Sequence, residues 1–380
     1  MSQAISRRTA LAGVAGVSSF AVLRHARAEE PVKIGVCAPL TGPAAEVGRI
    51  QLNSLRLSAD QVNAAGGVLG RKVELVVEDD QTTNPGIVLA FSRLASDPAM
   101  VAFIGSIRST QVNAMAPDVE RVGKPVMFGG TDPKLTHSGY KWLFRCRPND
   151  SYSARVIAAF GLETLKLRKW ALVCSTDAFG TGGKDALVDT LDKAGVQPVL
   201  VQGYANQQAD FTPVVLAVKQ SGADIVASYF TFEPDVAVFA RQVRQLGVRI
   251  PWIGSPSIAS PVTRNLAKNA LFGTYGIADF LVDANDEAKK FTADYAKAYN
   301  GQVPDSGWTY DAMQLLARAI NDAKTTDPAK IRAALAAIKG YKGTEGIYNY
   351  DENGDGLRGY NIGRNENGDM KFDKHIEFPA

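Results

Sequence analysis

Two short turns carry the groups best suited to hold a small ligand: Ser106-Ile107-Arg108-Ser109-Thr110 and Gly129-Gly130-Thr131-Asp132. Each follows a short apolar run, 101–104 and 125–128, and the segment between them, Gln111 to Val122, has helical spacing. That order puts both turns at the carboxyl ends of neighbouring parallel strands, where open α/β sheets take their ligands. The exposed N–H groups and short hydroxyls of the two turns, with free helix-start amides, would favour an anionic group. Arg108 adds a fixed positive charge, although a guanidinium there serves an interdomain salt bridge equally well. The guest this arrangement suits is a small carboxylate-bearing molecule.

Other chemistries find little support. No Gly-x-Ser-x-Gly elbow is present, and beyond the N-terminal segment only His137 and His375 could act as a base. Asp351-Glu352-Asn353-Gly354-Asp355-Gly356 opens like a calcium loop, but its twelfth position is Ile362 where a bidentate Glu is needed, so a hairpin turn is expected. Asp79-Asp80 lacks further ligands at metal spacing. Gly66-Gly67-Val68-Leu69-Gly70-Arg71 follows a helix rather than a strand, which fits a helix stop and not a phosphate loop. No metal, no cofactor and no catalytic activity are expected.

The positioning elements alternate. Strands are read at 32–39, 73–77, 101–104, 125–128 and 142–147, with helices at 46–65, 85–96 and 111–122. The same grammar repeats beyond Pro148-Asn149-Asp150: strands at 170–174, 199–202, 225–230 and 252–254, helices at 152–165, 183–194, 211–221 and 234–246. Strands separated by helices of ten or more residues predict doubly wound parallel sheets, here two, so the fold class is α/β with two Rossmann-like lobes. Further helices are read at 286–299, 308–324 and 328–337. Phe179, Tyr229, Phe230, Phe232, Trp308 and Tyr310 fall at strand ends and helix starts that would face a cleft between the lobes. Each is more often core than ligand wall, but together they would stack on a flat or bulky apolar group.

Composition bounds the rest. Residues 1–28 read as an export segment: Arg7-Arg8 in a twin-arginine pattern, a mild apolar run from Leu11 to Leu23, then Ala26-Arg27-Ala28 for cleavage. Ala10 replaces the usual Phe after the arginines, so both twin-arginine and general export routes stay open. The segment holds four of the 42 Lys and Arg residues and no acid, leaving 38 basic against 39 acidic residues. The mature chain is thus near neutral, without the basic patch that nucleic-acid binding needs. Its roughly 350 residues suggest two domains, and no other apolar stretch approaches membrane-spanning length. Cys37, Cys146 and Cys174 match no metal motif; export would permit a Cys146–Cys174 bridge, but separate core thiols are expected.

KIGVCAPLTGPAAEVG, GSIRST and GGTDPKLT, in this order and spacing, resemble the periplasmic branched-chain amino-acid (Leu/Ile/Val)-type binding proteins of ABC importers, type I periplasmic binding proteins. The resemblance covers most of the mature chain. It implies lobe I from 29–149 plus 277–345, lobe II from 150–276 plus 346–380, and a hinge of several crossings. It also implies a periplasmic, monomeric, non-enzymatic receptor that closes on one small molecule and delivers it to a membrane permease. By the same resemblance Ser109 and Thr131 would hold the ligand's α-carboxylate and ammonium, Gly129 would offer main chain, and Phe179 and Tyr229 would be aromatic walls from lobe II. Arg108, Trp308 and Tyr310 complete the expected site. The family's acid for the α-ammonium should lie after Trp252-Ile253-Gly254, where this chain reads Ser255-Pro256-Ser257. Without it an ammonium closed into a dry cleft would lack a counter-ion, at a cost of about several kcal/mol. Glu233 or Asp177 could substitute but read as solvated loop charges. The expected ligand is therefore an amine-free acid, aromatic or branched; amides or ureas, amino acids, and a ligand-sensing role in a signalling system are the alternatives.

Overall fold

A computed structural model describes residues 30–379; the expected export segment 1–28 lies outside the described residues. Five strands, β1 (Val32–Ala38), β2 (Val73–Asp79), β3 (Met100–Ile104), β4 (Val126–Phe128) and β5 (Leu143–Arg145), form one sheet in the order β2-β1-β3-β4-β5. All its pairings are parallel. Five more, β6 (Trp170–Ser175), β7 (Leu200–Tyr204), β8 (Ile225–Tyr229), β9 (Trp252–Gly254) and β10 (Tyr275–Ala278), repeat that winding in a second sheet. There β6 lies between β7 and β8 as β1 lies between β2 and β3. Strands β3, β4, β6 and β8 are buried along their whole length, as expected of parallel strands covered on both faces by helices. The two expected doubly wound α/β lobes are thus what the chain forms.

The remaining strands come from the tail. A two-stranded ribbon pairs β11 (Tyr341–Lys342) with β12 (Ile347–Tyr348). The long hairpin β13 (Gly359–Glu366) and β14 (Asp369–Glu377) adds antiparallel to β10 and extends the second sheet to seven strands. The packing does not change lobes at 345/346. Tyr348, Tyr350 and Leu357 pack into the first core with Phe144 and Trp308, whereas Tyr360 and Ile362 pack with Trp170 and Ile253 in the second. Likewise β10 belongs wholly to the second sheet, and the chain re-enters the first lobe only after it, where Phe280 packs with Phe291 and Ile50.

Local chemistry moved some boundaries. The helix read from Gly183 starts at Ala178, because Asp177 caps it by accepting the Gly180 N–H at 3.0 Å; this puts Phe179 on the first helical turn. The stretch after β9 winds into helical turns Pro256–Ala259 and Pro261–Ala267, each with Pro in its first turn. The helix from Asp150 runs to Ala159 and closes in a π turn, Phe160–Thr164. All three cysteines are buried free thiols, and no helix among the described residues is long and apolar enough to cross a membrane.

The acidic turn of the tail does structural work. Asp351 Oδ1 accepts the N–H groups of Asn353 and Asp355, which closes the turn on itself. Asp355 then reaches inward: it pairs with the fully buried Arg145 at 2.7 Å and accepts from Asn149 Nδ2 at 2.7 Å, and His137 lies 3.5 Å away. Arg145 in turn donates to the carbonyls of Gly130 and Asp132 and to Thr136 Oγ1. One buried ion pair therefore fastens the Gly129–Thr136 turn, the first crossing and the tail together. Burial opposes the charge on Asp355, but Arg145, His137 and Asn149 together outweigh it and hold the carboxyl well below the usual carboxylate range. Asp355→Ala should lower the unfolding free energy by about 3–5 kcal/mol, since it strands a buried guanidinium. Urea denaturation at pH 7 reads this. Because the folded pKa is depressed, the contribution is present at neutral pH and lost only as pH falls through the acid range. A variant as stable as the parent would remove the pair from this role.

Candidate functional site

The carboxyl ends of both sheets' strands surround one cavity of about 660 Å³. From the first lobe come Ile107, Arg108 and Ser109, following β3, and Arg147, following β5. From the second come Phe179 after β6, and Phe230, Thr231 and Glu233 after β8. Pro256, Ser257, Ala259 and Ser260 follow β9, and Ala278, Asp279 and Phe280 follow β10. Asp305 and Ser306, just before the helix Trp308–Ala323, close it. These are the positions that doubly wound sheets reserve for ligands.

Its charges are arranged in pairs, with one left over. Arg108 spans the cleft: Nη2 lies 3.3 Å from Glu233 Oε2, Nη1 donates to the Thr231 carbonyl, and the guanidinium stacks 4.7 Å from the Phe232 ring centre. Arg147 pairs with Asp279 and donates to the Gly129 carbonyl at 3.1 Å. Asp305 accepts from the Ser260 hydroxyl at 2.7 Å, and among the described residues no Lys, Arg or His lies within ion-pair distance of it. Burial and then the Glu233 carboxylate push its carboxyl up to about 6, which Ser260 and Arg147 offset only in part.

Of the residues expected from sequence, Arg108, Ser109 and Phe179 line the cavity. Arg108 is not a free cation, however, but the interlobe salt bridge weighed against that role. Ser109 Oγ accepts the N–H groups of Thr131 and Asp132 at 3.0 and 3.1 Å, tying the two turns together while its own proton stays available. Four other residues stand beneath the cleft wall. Thr131 donates its hydroxyl to Asp150 Oδ2 at 2.8 Å, at the start of the crossing helix. Gly129 packs against Trp308 so closely that a Cβ would come within 2.9 Å of the indole, so the glycine is needed for fit. Trp308 itself is first-lobe core. Tyr229 is fully buried, with its hydroxyl 2.8 Å from Ser153 Oγ. Tyr310 points elsewhere, bonding Gln61 and packing on Phe291.

The cavity is not without acids. The segment after β9 has no acid, but Glu233, Asp279 and Asp305 bring three carboxylates to the cavity from other segments. Glu233 is buried rather than a solvated loop charge, whereas Asp177 is engaged by its helix cap, Thr231 and Asn206. Sequence reasoning missed Arg147, Asp279 and Asp305. Asp279 could have been found, since it ends an apolar strand as Thr231 and Ser255 do. Asp305 precedes a helix in an irregular segment and carries no such signal.

A cleft between two doubly wound lobes, lined by strand-end turns and charged groups, is the architecture of a small-molecule binding protein. The chain belongs to the periplasmic binding protein family, whose pattern matches residues 31–369. An amino acid binding protein of Pseudomonas aeruginosa is 30% identical over 344 residues, covering 87% of this chain and 88% of its own. The leucine-, isoleucine-, valine-, threonine- and alanine-binding protein of that organism is 26% identical over 93% of each chain. The crystal structure of a leucine binding protein from Thermotoga maritima superposes with a TM-score of 0.85 at 25% identity, covering 91% of this chain and 99% of its own. The resemblance to branched-chain amino-acid-type receptors therefore holds, and the protein is a substrate-binding protein rather than an enzyme.

The position of Thr131 gives a prediction. Thr131→Val removes a hydrogen bond to a buried carboxylate and should lower unfolding free energy by about 1–3 kcal/mol, read by urea denaturation. Unchanged stability with abolished ligand binding would instead return Thr131 to the cleft wall.

Proposed function

We propose that the chain is the solute receptor of an ABC importer and that its ligand is a small amino acid whose ammonium group is held by Asp305. The observation that carries this reading is the charge inventory of the cleft. Both guanidiniums already have carboxylate partners, and one carboxylate has no cation. A ligand ammonium supplies it. The ligand carboxylate goes to the opposite rim, where the helix Ser109–Val122 starts with N–H groups that have no intrahelical partner and Ser109 keeps a proton to donate. Phe179, Phe230 and Phe280 then flank the side chain.

An amine-free acid, expected from the segment after β9 alone, would leave Asp305 without a cation and add a second negative charge nearby. The relatives whose names specify amino acids favour the ammonium reading as well. In this account residues 1–28 direct export by the twin-arginine or general route. The mature chain works in the periplasm as a monomer, closing by a hinge motion on its ligand and presenting it to the membrane permease. Arg108 and Glu233 meet across the cleft and so help hold the closed state.

Isothermal titration with leucine, isoleucine, valine, threonine and alanine tests the ammonium contact. Asp305→Asn should weaken whichever of these binds by about 30- to 1,000-fold, or 2–4 kcal/mol. The unsubstituted protein should lose affinity about tenfold per unit as pH falls below the Asp305 pKa, because protonation removes the carboxylate while the ligand stays cationic. Equal affinity in Asp305→Asn, or a flat profile between pH 5 and 8, would refute the contact.

A further inference from the structure

Asp305 borders two cavities, not one. With Ala259 and Phe280 it forms a wall common to the ligand cleft and to a second cavity of about 460 Å³. Beyond that wall the lining turns apolar, with Leu281, Val303, Pro304 and Met370. The one cation there is Arg264, from the helix Pro261–Ala267. Its Nε donates to the Ala259 carbonyl at 3.2 Å and its Nη1 to the Gly368 carbonyl. Those bonds fix the guanidinium but supply no counter-charge, and among the described residues no carboxylate lies within ion-pair distance of it. Asp369, its nearest acidic influence, sits 3.7 Å from Lys371, and Asp283 on the cavity rim is exposed. Burial lowers the Arg264 pKa, with Asp369 and Asp305 offsetting this only in part.

An unpaired carboxylate at a shared wall and an unpaired guanidinium in the apolar cavity behind it form a complementary pair of half-sites. We propose that the second cavity is a side-chain subsite, and that the protein takes amino acids whose unbranched apolar side chain ends in a carboxylate, the class of 2-aminoadipate and 2-aminopimelate. The α-ammonium stays at Asp305, the methylene run lies along Leu281, Val303 and Met370, and the terminal carboxylate meets Arg264. This rests on the amino-acid reading of the cleft. It goes further by making Arg264, outside that cleft, a determinant of side-chain preference.

Titration calorimetry with valine, norleucine, 2-aminoadipate, 2-aminopimelate and the amine-free diacid pimelate tests it. The unsubstituted protein should bind the better of the two acidic amino acids about tenfold or more tightly than norleucine. Arg264→Gln should abolish that advantage. Val303→Trp, at a residue that lines the second cavity and not the cleft, should weaken the acidic ligands about tenfold while leaving valine within about twofold. Acidic ligands that bind no tighter than norleucine, or a Val303→Trp variant that weakens valine equally, would overturn the subsite and leave the amino-acid reading intact. Pimelate binding that depends on Arg264, with no amino acid bound, would keep the subsite and overturn the amino-acid reading. Binding of neither pimelate nor any amino acid would overturn both.

Discussion

A cleft that closes on its ligand strips water from the charges lining it, so each of those charges needs a partner in the closed state. Here two guanidiniums and three carboxylates face one cavity. Arg108 takes Glu233 and Arg147 takes Asp279, which leaves Asp305 with a serine hydroxyl and a raised pKa. In the proposed reading this imbalance is a specificity device, leaving the cleft incomplete until something cationic arrives. In the same reading, hydroxyls and amides at the opposite rim would accommodate an anionic group on the same molecule.

That arrangement depends on turns held from behind. Arg145, paired with Asp355 from the tail, gathers the carbonyls of Gly130 and Asp132 and so fixes the shape of the second turn. Ser109 bonds across to that turn, and Thr131 bonds onward to Asp150 at the first crossing. The sequence motif GGTDPKLT is therefore a joint between rim and hinge more than a ligand wall. These bonds fix the spacing of the cleft residues that follow β3 and β5.

Much of the architecture was legible because parallel strands buried on both faces leave apolar runs, and the helices between them leave 3.6-residue periodicity. β3, β6 and β8 were each readable to within a residue or so for that reason. The crossings were less so. Tyr348, Tyr350 and Leu357 look like any turn-rich tail in sequence, and only packing shows that they remain in the first core. Position along the chain brought Arg108, Ser109 and Phe179 to the lining of the cavity, since they lie on the turns just beyond strand ends. It misplaced Trp308 and Tyr310, because an aromatic at a helix start faces the core or the cleft according to helix rotation, which spacing alone does not fix. Asp305 was invisible because its role arises from residues distant in sequence, Ser260 and Glu233, meeting at one point.

The most direct test of the central claim compares matched pairs that differ only in the amine: valine, leucine and phenylalanine, each against its 2-oxo acid, in thermal melts of the mature protein. Ligands that bind only the folded state raise the melting temperature by mass action. If the unpaired carboxylate selects an ammonium, at least one amino acid should raise the melting temperature and its 2-oxo partner should raise it far less. A shift with the oxo acids alone would contradict the account, for it would mean the cleft closes on a carboxylate and tolerates Asp305 without a counter-ion.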